Sequence, residues 1–176
     1  MAATINATIK DANANSYVTL TEANAYFETV PDSTTWDNKT VDQKNRSLIA
    51  ATRWIDSFVF FGNRCDRGQS LKFPRNNYHV DEVELTCQTI PNNIKYAQFE
   101  LARALANDPD AMTGNVGTNG NIAEAKLGDL QVKYNTSTQG VGSINNVLDV
   151  YPWLQSYLGA YILGGAGSFQ MRVVRG

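Results

Sequence analysis

The sequence has few charged residues and no excess of basic ones. Charged residues make up 18% of the 176 residues, below the roughly 25% of an average soluble domain, and the formal net charge at pH 7 is -2. Proteins that grip a nucleic-acid backbone gain most of their affinity from Lys and Arg side chains that neutralise phosphates. The composition therefore argues against a protein whose main task is to hold nucleic acid.

Long apolar runs and clustered cysteines are also absent from the sequence. No stretch approaches the ~20 apolar residues that span a bilayer, and the first residues lack the basic and apolar regions of a secretion signal. Cys65 and Cys87 are the only cysteines, and their spacing matches no metal-site or redox motif. We therefore expect a soluble protein made in the cytoplasm, with no membrane association and with both cysteines as free thiols.

The residue types most used in catalysis and metal binding are scarce, since His79 is the only histidine. Acid–base chemistry at neutral pH would depend on His79 or on a perturbed carboxylate, and no Ser or Cys lies in a nucleophile-elbow motif. Cys65, His79 and Cys87 lack a fourth zinc ligand. The glycines of residues 112–121 lack the Gly-Lys-Ser/Thr ending of a phosphate-binding loop and are typical of a linker. We expect no enzyme activity, no catalytic residue, no metal and no cofactor.

Four segments carry the pattern of amphipathic helices. Capping boxes open the first two, Thr19 with Glu22 for a helix to about residue 29 and Thr40 with Gln43 for one to about residue 58. Pro91 opens a third helix that ends near residue 108, and a fourth covers about residues 146–161. Apolar residues at spacings of three and four predict a single shared core, which includes Leu48, Ile55, Ile94, Leu101, Leu154 and Leu158.

Residues 121–135 carry the pattern of a two-stranded β-hairpin. Apolar and polar residues alternate on either side of Gly128 and Asp129, which form the expected turn. An isolated hairpin is only marginally stable in water, so we expect this one to project from the helical body and to contact a tail protein or a neighbouring subunit. The residues expected at that contact are Ile122, Lys126, Leu130, Val132 and Tyr134.

The C-terminal residues 164–176 form a separate segment. They begin with four small residues, Gly164 to Gly167, which uncouple the segment from the last helix, and apolar and basic residues follow in an extended pattern. The composition supports two interpretations equally: a last strand that pairs with the hairpin, or a flexible tail that adds a strand to a sheet in a partner protein. The residues that would make the partner contacts are Phe169, Met171, Arg172, Val173 and Arg175.

The densest basic cluster lies between residues 60 and 78. Arg64, Arg67, Lys72 and Arg75 are interleaved there with aromatic residues. Cations and aromatic rings in this mixture could stack on and clamp single-stranded nucleic acid.

The alternative for the same cluster is a structural loop. Its aromatic residues would then fill the core while its arginines pair with carboxylates. The sequence pI of about 5.3 and the alternation of Leu71 and Phe73 favour this interpretation. We expect Phe73 and Pro74 to be buried and Arg75 to bind a carboxylate of its own or an adjacent subunit. The residues of the structural loop are Gln69, Leu71, Phe73, Pro74 and Arg75.

The order of these motifs carries a family resemblance. QSLKFPR at residues 69–75 is followed by an Ile90-Pro91 that opens an amphipathic helix, and ANSYVTLTEANAYF, RSLIAATRWID and AKLGDLQVKY lie in the first helix, the second helix and the hairpin. With the closing helical stretch at 151–158, the match covers roughly residues 13–158. This arrangement resembles the head–tail connector (adaptor) proteins of tailed bacteriophages, a family often labelled DnaT-like single-stranded-DNA-binding protein.

The resemblance implies a mainly α fold and a structural role in the virion. Residues 1–163 would form one helical adaptor domain, a small bundle with the hairpin inserted at 121–135, and residues 164–176 a flexible docking tail. The protein would form a dodecameric ring beneath the portal, assembled in the cytoplasm of the host bacterium. Extended segments would reach the portal and loops would meet tail or nozzle proteins. Double-stranded DNA would pass through the lumen unbound, since an acidic duct repels it.

Two alternative functions belong to other classes. The family label implies a single-stranded-DNA-binding protein of phage replication, for which the basic and aromatic cluster at 60–78 is the support within the sequence. A tail-completion or stopper protein, located just below the adaptor, shares the structural role. Gel filtration and a salt-dependent mobility-shift assay separate a ring from a DNA-binding protein.

Overall fold

The protein is described by a computed structural model that covers residues 3–109, 124–127, 130–133 and 147–163. Helices dominate the described residues, which also contain three small antiparallel pairs of strands, so the prediction of a mainly α fold is confirmed. In chain order the elements are α1 (Leu20–Phe27), α2 (Thr34–Asp37), α3 (Val41–Ile55), β1 (Asn63–Arg64), β2 (Arg75–Asn76), β3 (His79–Val80), β4 (Val83–Glu84), α4 (Asn92–Asn107), β5 (Glu124–Leu127), β6 (Leu130–Lys133), α5 (Val147–Val150) and α6 (Leu154–Leu158).

Both predicted capping boxes are present at the starts of α1 and α3. The Thr19 hydroxyl accepts a hydrogen bond from the Glu22 amide at 3.1 Å, and the Glu22 carboxylate accepts one from the Thr19 amide at 2.8 Å. Thr40 and Gln43 repeat this exchange at 3.3 and 2.9 Å. Each box satisfies two amides that would otherwise lack a partner in the first turn, which fixes where the helix begins.

The core lies where α3 packs against α4, and α6 also packs against α4. Ala51 and Ala97, both fully buried, keep the side chains small on the facing surfaces of the two long helices. All six residues predicted for the shared core are fully buried, which confirms that prediction: Leu48, Ile55, Ile94, Leu101, Leu154 and Leu158.

The short helix α2 was not predicted. Trp36 is fully buried there, with its ring 4.6 Å from that of Phe27 and its indole N–H donating to the Asn24 side chain at 3.0 Å. Four residues cannot show helical periodicity, so this turn depends on the burial of one large side chain rather than on a sequence pattern.

The predicted continuous helix over 146–161 is wrong, because α5 and α6 are separate. Pro152 lies between them, and a proline disfavours helical geometry in the residue that precedes it. The chain after α6 forms an isolated antiparallel bridge between Ile162 and Phe60. The C-terminal end of the described chain is thereby joined to the segment that follows α3.

The strands of the predicted hairpin are confirmed, and two further strand pairs were not predicted. β5 and β6 pair from Glu124 with Lys133 to Leu127 with Leu130. The turn residues 128–129 and the predicted contact residues Ile122 and Tyr134 lie outside the described residues. Pairs β1–β2 and β3–β4 have two residues in each strand, which is too short for an alternating pattern to appear in the sequence.

The expectation of two free thiols is wrong. Cys65 and Cys87 form a disulfide across 22 positions of sequence, tying the end of β1 to the loop that precedes α4. The spacing of two lone cysteines does not indicate whether they meet, since their approach depends on how the intervening strands fold back.

Candidate functional site

Phe73 and Pro74, at the centre of the predicted structural loop, are buried in the body of the protein. The Phe73 ring is 2% exposed and lies 4.9 Å from the ring of Phe60, 6.0 Å from Tyr17 and 6.1 Å from Tyr161. The Phe73–Pro74 peptide bond is cis. The prediction that these two residues pack against the body is confirmed.

Gln69 holds the loop together from inside. Its side chain is 2% exposed, and its amide nitrogen donates to the carbonyls of Leu71 at 2.8 Å and Pro74 at 3.2 Å. Its side-chain oxygen accepts from the Asp66 amide at 3.0 Å. A buried loop must satisfy its backbone polar groups without a helix or sheet, and Gln69 supplies the missing partners.

Within its own chain the guanidinium of Arg75 binds backbone carbonyls and not the predicted carboxylate, while a carboxylate of an adjacent subunit stays a prediction. The side chain donates to Phe61 at 2.6 Å, to Phe60 at 3.1 Å, to Gly62 at 2.5 Å and to Lys72 at 3.2 Å. No carboxylate in the described part of the chain forms an ion pair with it. The planar guanidinium carries five N–H donors, which suits it to bind several backbone carbonyls at once. Burial lowers the pKa of Arg75 from its ordinary value, while its charge is retained.

Two other cations of the basic cluster also donate to backbone carbonyls. The Lys72 ammonium donates to the Phe58 carbonyl, and the Arg64 guanidinium donates to the Gln69 carbonyl. Arg67 is exposed. Three of the four cations that suggested a nucleic-acid clamp therefore donate hydrogen bonds to backbone carbonyls of the described chain.

The aromatic residues of the cluster pack against other aromatic side chains of the protein. Phe60 and Phe73 are buried, and the Phe61 and Tyr78 rings stack on each other at 4.7 Å with an interplanar angle of 14°. Tyr78 also donates its hydroxyl to the Ala160 carbonyl at 3.1 Å. The ring faces on which Phe61 and Tyr78 contact each other are not available to a base.

A buried polar pair, Tyr17 and Asp56, supports the loop and was missed in the sequence. The Tyr17 hydroxyl donates to one carboxylate oxygen of Asp56, and the Lys72 amide donates to the other at 3.2 Å. Burial raises the pKa of Asp56, and the hydrogen bonds from Tyr17 and the Lys72 amide lower it without cancelling that rise. Burial, followed by the Asp56 charge, raises the pKa of Tyr17. The pair joins the N-terminal segment, the end of α3 and the loop.

Gln98 is a second buried polar residue that was missed. It is fully buried on α4, donates to the Ser16 hydroxyl at 2.7 Å and to the Leu48 carbonyl at 3.1 Å, and accepts from the Tyr17 amide at 3.1 Å. Its position, four residues after Ile94 and three before Leu101, is on the apolar stripe. A polar residue at a core position was the available indication that it binds something inside.

The remaining predicted site residues lie on the hairpin strands or outside the described residues. Lys126 lies on β5, and Leu130 and Val132 lie on β6. The predicted docking-tail residues Phe169, Met171, Arg172, Val173 and Arg175 lie outside the described residues. The loop and the hairpin strands are thus placed by the structure, and the tail stays a prediction.

Exposed apolar residues gather where the described chain ends. Val59 is 61% exposed and Leu163 is 54% exposed, and the Leu163 amide donates to the Val59 carbonyl at 2.8 Å. We call these two residues the terminal patch. Val41, 60% exposed, lies at the start of α3 and does not belong to this pair.

Two grooves lie on the surface of the described part of the protein. One has a volume of about 530 Å³ and lies between α4 and α6, with Glu100, Arg103, Trp153 and Tyr157 among its walls. The Arg103 guanidinium there binds the Glu100 carboxylate at 2.6 Å, so the two charges compensate each other. The other groove, of about 270 Å³, lies beside β3 and β4.

The described residues form neither a cluster of metal ligands nor a membrane-spanning helix. Within the described ranges, no three His, Cys, Asp or Glu side chains are grouped so that they could hold a metal ion. Among the helices that the structure describes, none is long and apolar enough to cross a bilayer.

Comparison with known proteins gives one match, which covers the whole chain. Residues 1–176 match the family described as "Putative DnaT-like ssDNA binding protein". The chain belongs to this family. Its description names single-stranded-DNA binding and no enzymatic activity. No curated protein and no solved structure matches the chain.

Proposed function

We propose that this family member is a head-to-tail adaptor of a tailed bacteriophage, a virion protein that forms a dodecameric ring beneath the portal. The observation that carries the proposal is that Phe73 and Arg75 are buried and that the Lys72 and Arg64 side chains donate to backbone carbonyls. These residues were the main support in the sequence for a protein that clamps nucleic acid. Because these side chains already have partners within their own chain, the resemblance to connector proteins is the better guide to function.

The charge of the chain supports passage of DNA rather than retention of it. The formal net charge is -2, and Arg75, Lys72 and Arg64 already bind carbonyls. Affinity for a phosphate backbone depends on cations that are free to displace counterions. A ring of such chains would present a lumen that DNA traverses without binding.

The terminal patch supports assembly with other chains. Val59 and Leu163 are held side by side by a backbone hydrogen bond and expose more than half of each side chain. Exposed apolar pairs of this kind are stabilised when a partner covers them. We assign the patch to the contact between neighbouring subunits of the ring, the hairpin to tail-side contacts and residues 164–176 to the portal.

Single-stranded-DNA binding is the second candidate function, and the family description favours it. Arg64 and Arg67 are exposed cations of the cluster, and the aromatic groove between α4 and α6 could receive a base. A stopper protein below the adaptor is a third candidate that shares the ring and the position in the virion.

The first experiment measures the size of the purified full-length protein, alone and mixed with the portal. A dodecamer of 19.4 kDa chains would have a mass of about 233 kDa by light scattering and would appear as a ring in electron micrographs. Val59→Asp should reduce the ring to smaller species, while Val41→Asp, a matched change at a valine that is also exposed, should not. A protein that stays monomeric with and without portal contradicts the proposal.

A second experiment measures binding of a labelled single-stranded oligonucleotide by fluorescence anisotropy across a series of salt concentrations. The adaptor proposal predicts weak binding at physiological salt. Tight binding that weakens steeply with salt, and that is lost in Trp153→Ala or Arg67→Ala, would establish the second candidate instead.

A further inference from the structure

The groove beside β3 and β4 has an apolar floor that is open to solvent. Val80, Val83, Leu85 and Pro91 contribute apolar walls, and Val83 is 68% exposed, the largest exposure among the exposed large apolar residues of the described chain. The volume of about 270 Å³ equals roughly nine waters at about 30 Å³ each, enough for one large side chain. Exposed apolar surface in a concave site indicates that another group covers it.

The rim of the same groove is acidic. Asp81 and Glu84 line it, and Glu82 lies between them, so three carboxylates occur within four residues. None of the three forms an ion pair within the part of the chain that the structure describes. Arg75 is the cation that lines the groove, and four carbonyls already occupy its guanidinium. We call this site the acidic groove.

The described chain ends beside the acidic groove. Tyr161 lines the groove, and two residues later Leu163 is fixed to the Val59 carbonyl. Asp81 is near enough to the Tyr161 hydroxyl to raise its pKa, after the larger effect of burial. Residues 164–176 therefore start next to the groove. At about 3.3–3.6 Å per extended residue, the six residues from Leu163 to Phe169 can span about 20 Å.

The composition of residues 164–176 complements the groove. The segment carries Phe169, Met171 and Val173 as apolar residues, Arg172 and Arg175 as cations, and no acidic residue. We propose that residues 164–176 dock in the acidic groove of their own chain. Phe169 and Met171 contact the apolar floor around Val83, and Arg172 and Arg175 meet the carboxylates of the rim.

The covalent link to the body contributes more to the docking of this tail than its contacts with the acidic groove do. Linking the segment to the body gives it a local concentration on the order of millimolar, so a weak contact suffices to keep the groove occupied. The ion pairs lie at the surface and weaken as salt is raised. The docking does not depend on the proposed function; if the tail also binds the portal, as that function holds, the groove and the portal compete for it.

Chemical cross-linking of the full-length protein tests the contact directly. Arg172→Lys introduces an amine that a carbodiimide can join to a nearby carboxylate. The expected product is a cross-link within one chain between position 172 and Asp81, Glu82 or Glu84, identified by mass spectrometry. Lys95 and Glu22, 2.8 Å apart, provide a positive control in the same sample.

The cross-link should depend on the apolar floor as well as on charge. Val83→Asn leaves all three carboxylates in place and should lower the yield at least fivefold, whereas Val41→Asn should not change it. Formation of the Lys95–Glu22 product with no product at position 172 would overturn the proposal. So would a product that joins position 172 only to a second copy of the chain, or to carboxylates outside the groove.

Hydrogen–deuterium exchange provides a second readout on the full chain. Glu84→Lys should speed exchange of the amides of residues 168–175 at least threefold relative to the unaltered protein. Glu28→Lys, a matched change at an exposed carboxylate on the end of α1, should leave their exchange unchanged. Adding Arg172→Glu to Glu84→Lys restores an opposite pair and should slow exchange again. Equal exchange in all four proteins would contradict docking.

Discussion

The structural loop and the acidic groove are neighbours with opposite uses of charge. Arg75 and Lys72 of the loop, and the exposed Arg64 of the adjoining β1, bind backbone carbonyls. In the groove, Asp81, Glu82 and Glu84 are exposed and form no ion pair with a described residue. Charges in the first region stabilise the fold, and charges in the second are available to a ligand. A dense cluster of charged and aromatic residues in a sequence is thus a poor guide to which of the two uses applies.

The largest effect is expected for Phe73, the aromatic centre of the loop. Phe73→Ala should lower the free energy of unfolding by about 3–5 kcal/mol, because the cavity would remain between Phe60, Tyr17 and Tyr161. Denaturant titration followed by circular dichroism measures this. A loss below about 1 kcal/mol would mean that the loop is not part of the core.

Substitutions of Arg75 distinguish the binding of backbone carbonyls from the pairing with a carboxylate, which was the prediction from the sequence. Arg75→Ala should cost roughly 1–3 kcal/mol or more, because buried carbonyls lose their donors. Arg75→Lys should recover only part of this, since an ammonium cannot reproduce the planar fork. Denaturant titration of the two variants gives the difference. Full stability in Arg75→Lys would indicate a simple charge partner instead.

A smaller effect on stability, which depends on pH, is expected for Glu22→Gln. Glu22 lies outside both the structural loop and the acidic groove. Burial raises the pKa of Glu22, but hydrogen bonds from Lys95 and Thr19 outweigh it, so the folded-state pKa is lowered. Its contribution is present above the unfolded pKa of about 4.3 and is lost as the pH falls through the lower folded pKa. Glu22→Gln keeps the capping box and should make unfolding less dependent on pH below about 5.

The measurement for Glu22 is the unfolding midpoint in denaturant at a series of pH values. Glu28→Gln serves as the control, since Glu28 is exposed and has no ion pair among the described residues. An identical pH profile for Glu22→Gln and the unaltered protein would show that the Lys95 pair contributes nothing.

The smallest effect on stability is expected in the acidic groove. Glu84→Lys should change the free energy of unfolding by no more than about 0.5 kcal/mol, because the side chain is exposed and makes no described contact that the fold needs. The same variant should alter exchange in residues 168–175. A destabilisation comparable to that of Arg75→Ala would mean that the groove, like the loop, serves the fold.

Local patterns predicted the long helices well because their causes are local. Thr19, Glu22, Thr40 and Gln43 form capping boxes between residues three positions apart, and the stripe from Ile94 to Leu105 follows the helical period. The same rules failed at Pro152, where a predicted helix is divided, and at Trp36, whose helix is too short to be periodic. Residues 164–176 and the projection of the hairpin stay predictions.

The sequence by itself determined the mainly α class, the starts of α1 and α3, the six-residue core and the strands β5 and β6. These depend on neighbours within a few positions, whose geometry the backbone fixes. Only the tertiary structure decided that Arg75 binds carbonyls, that Cys65 meets Cys87 and that Gln98 is satisfied in the core. It also decided that the chain reaches Leu163 beside a groove of carboxylates. Such contacts join residues far apart in the chain, and their partners are set by how the helices pack.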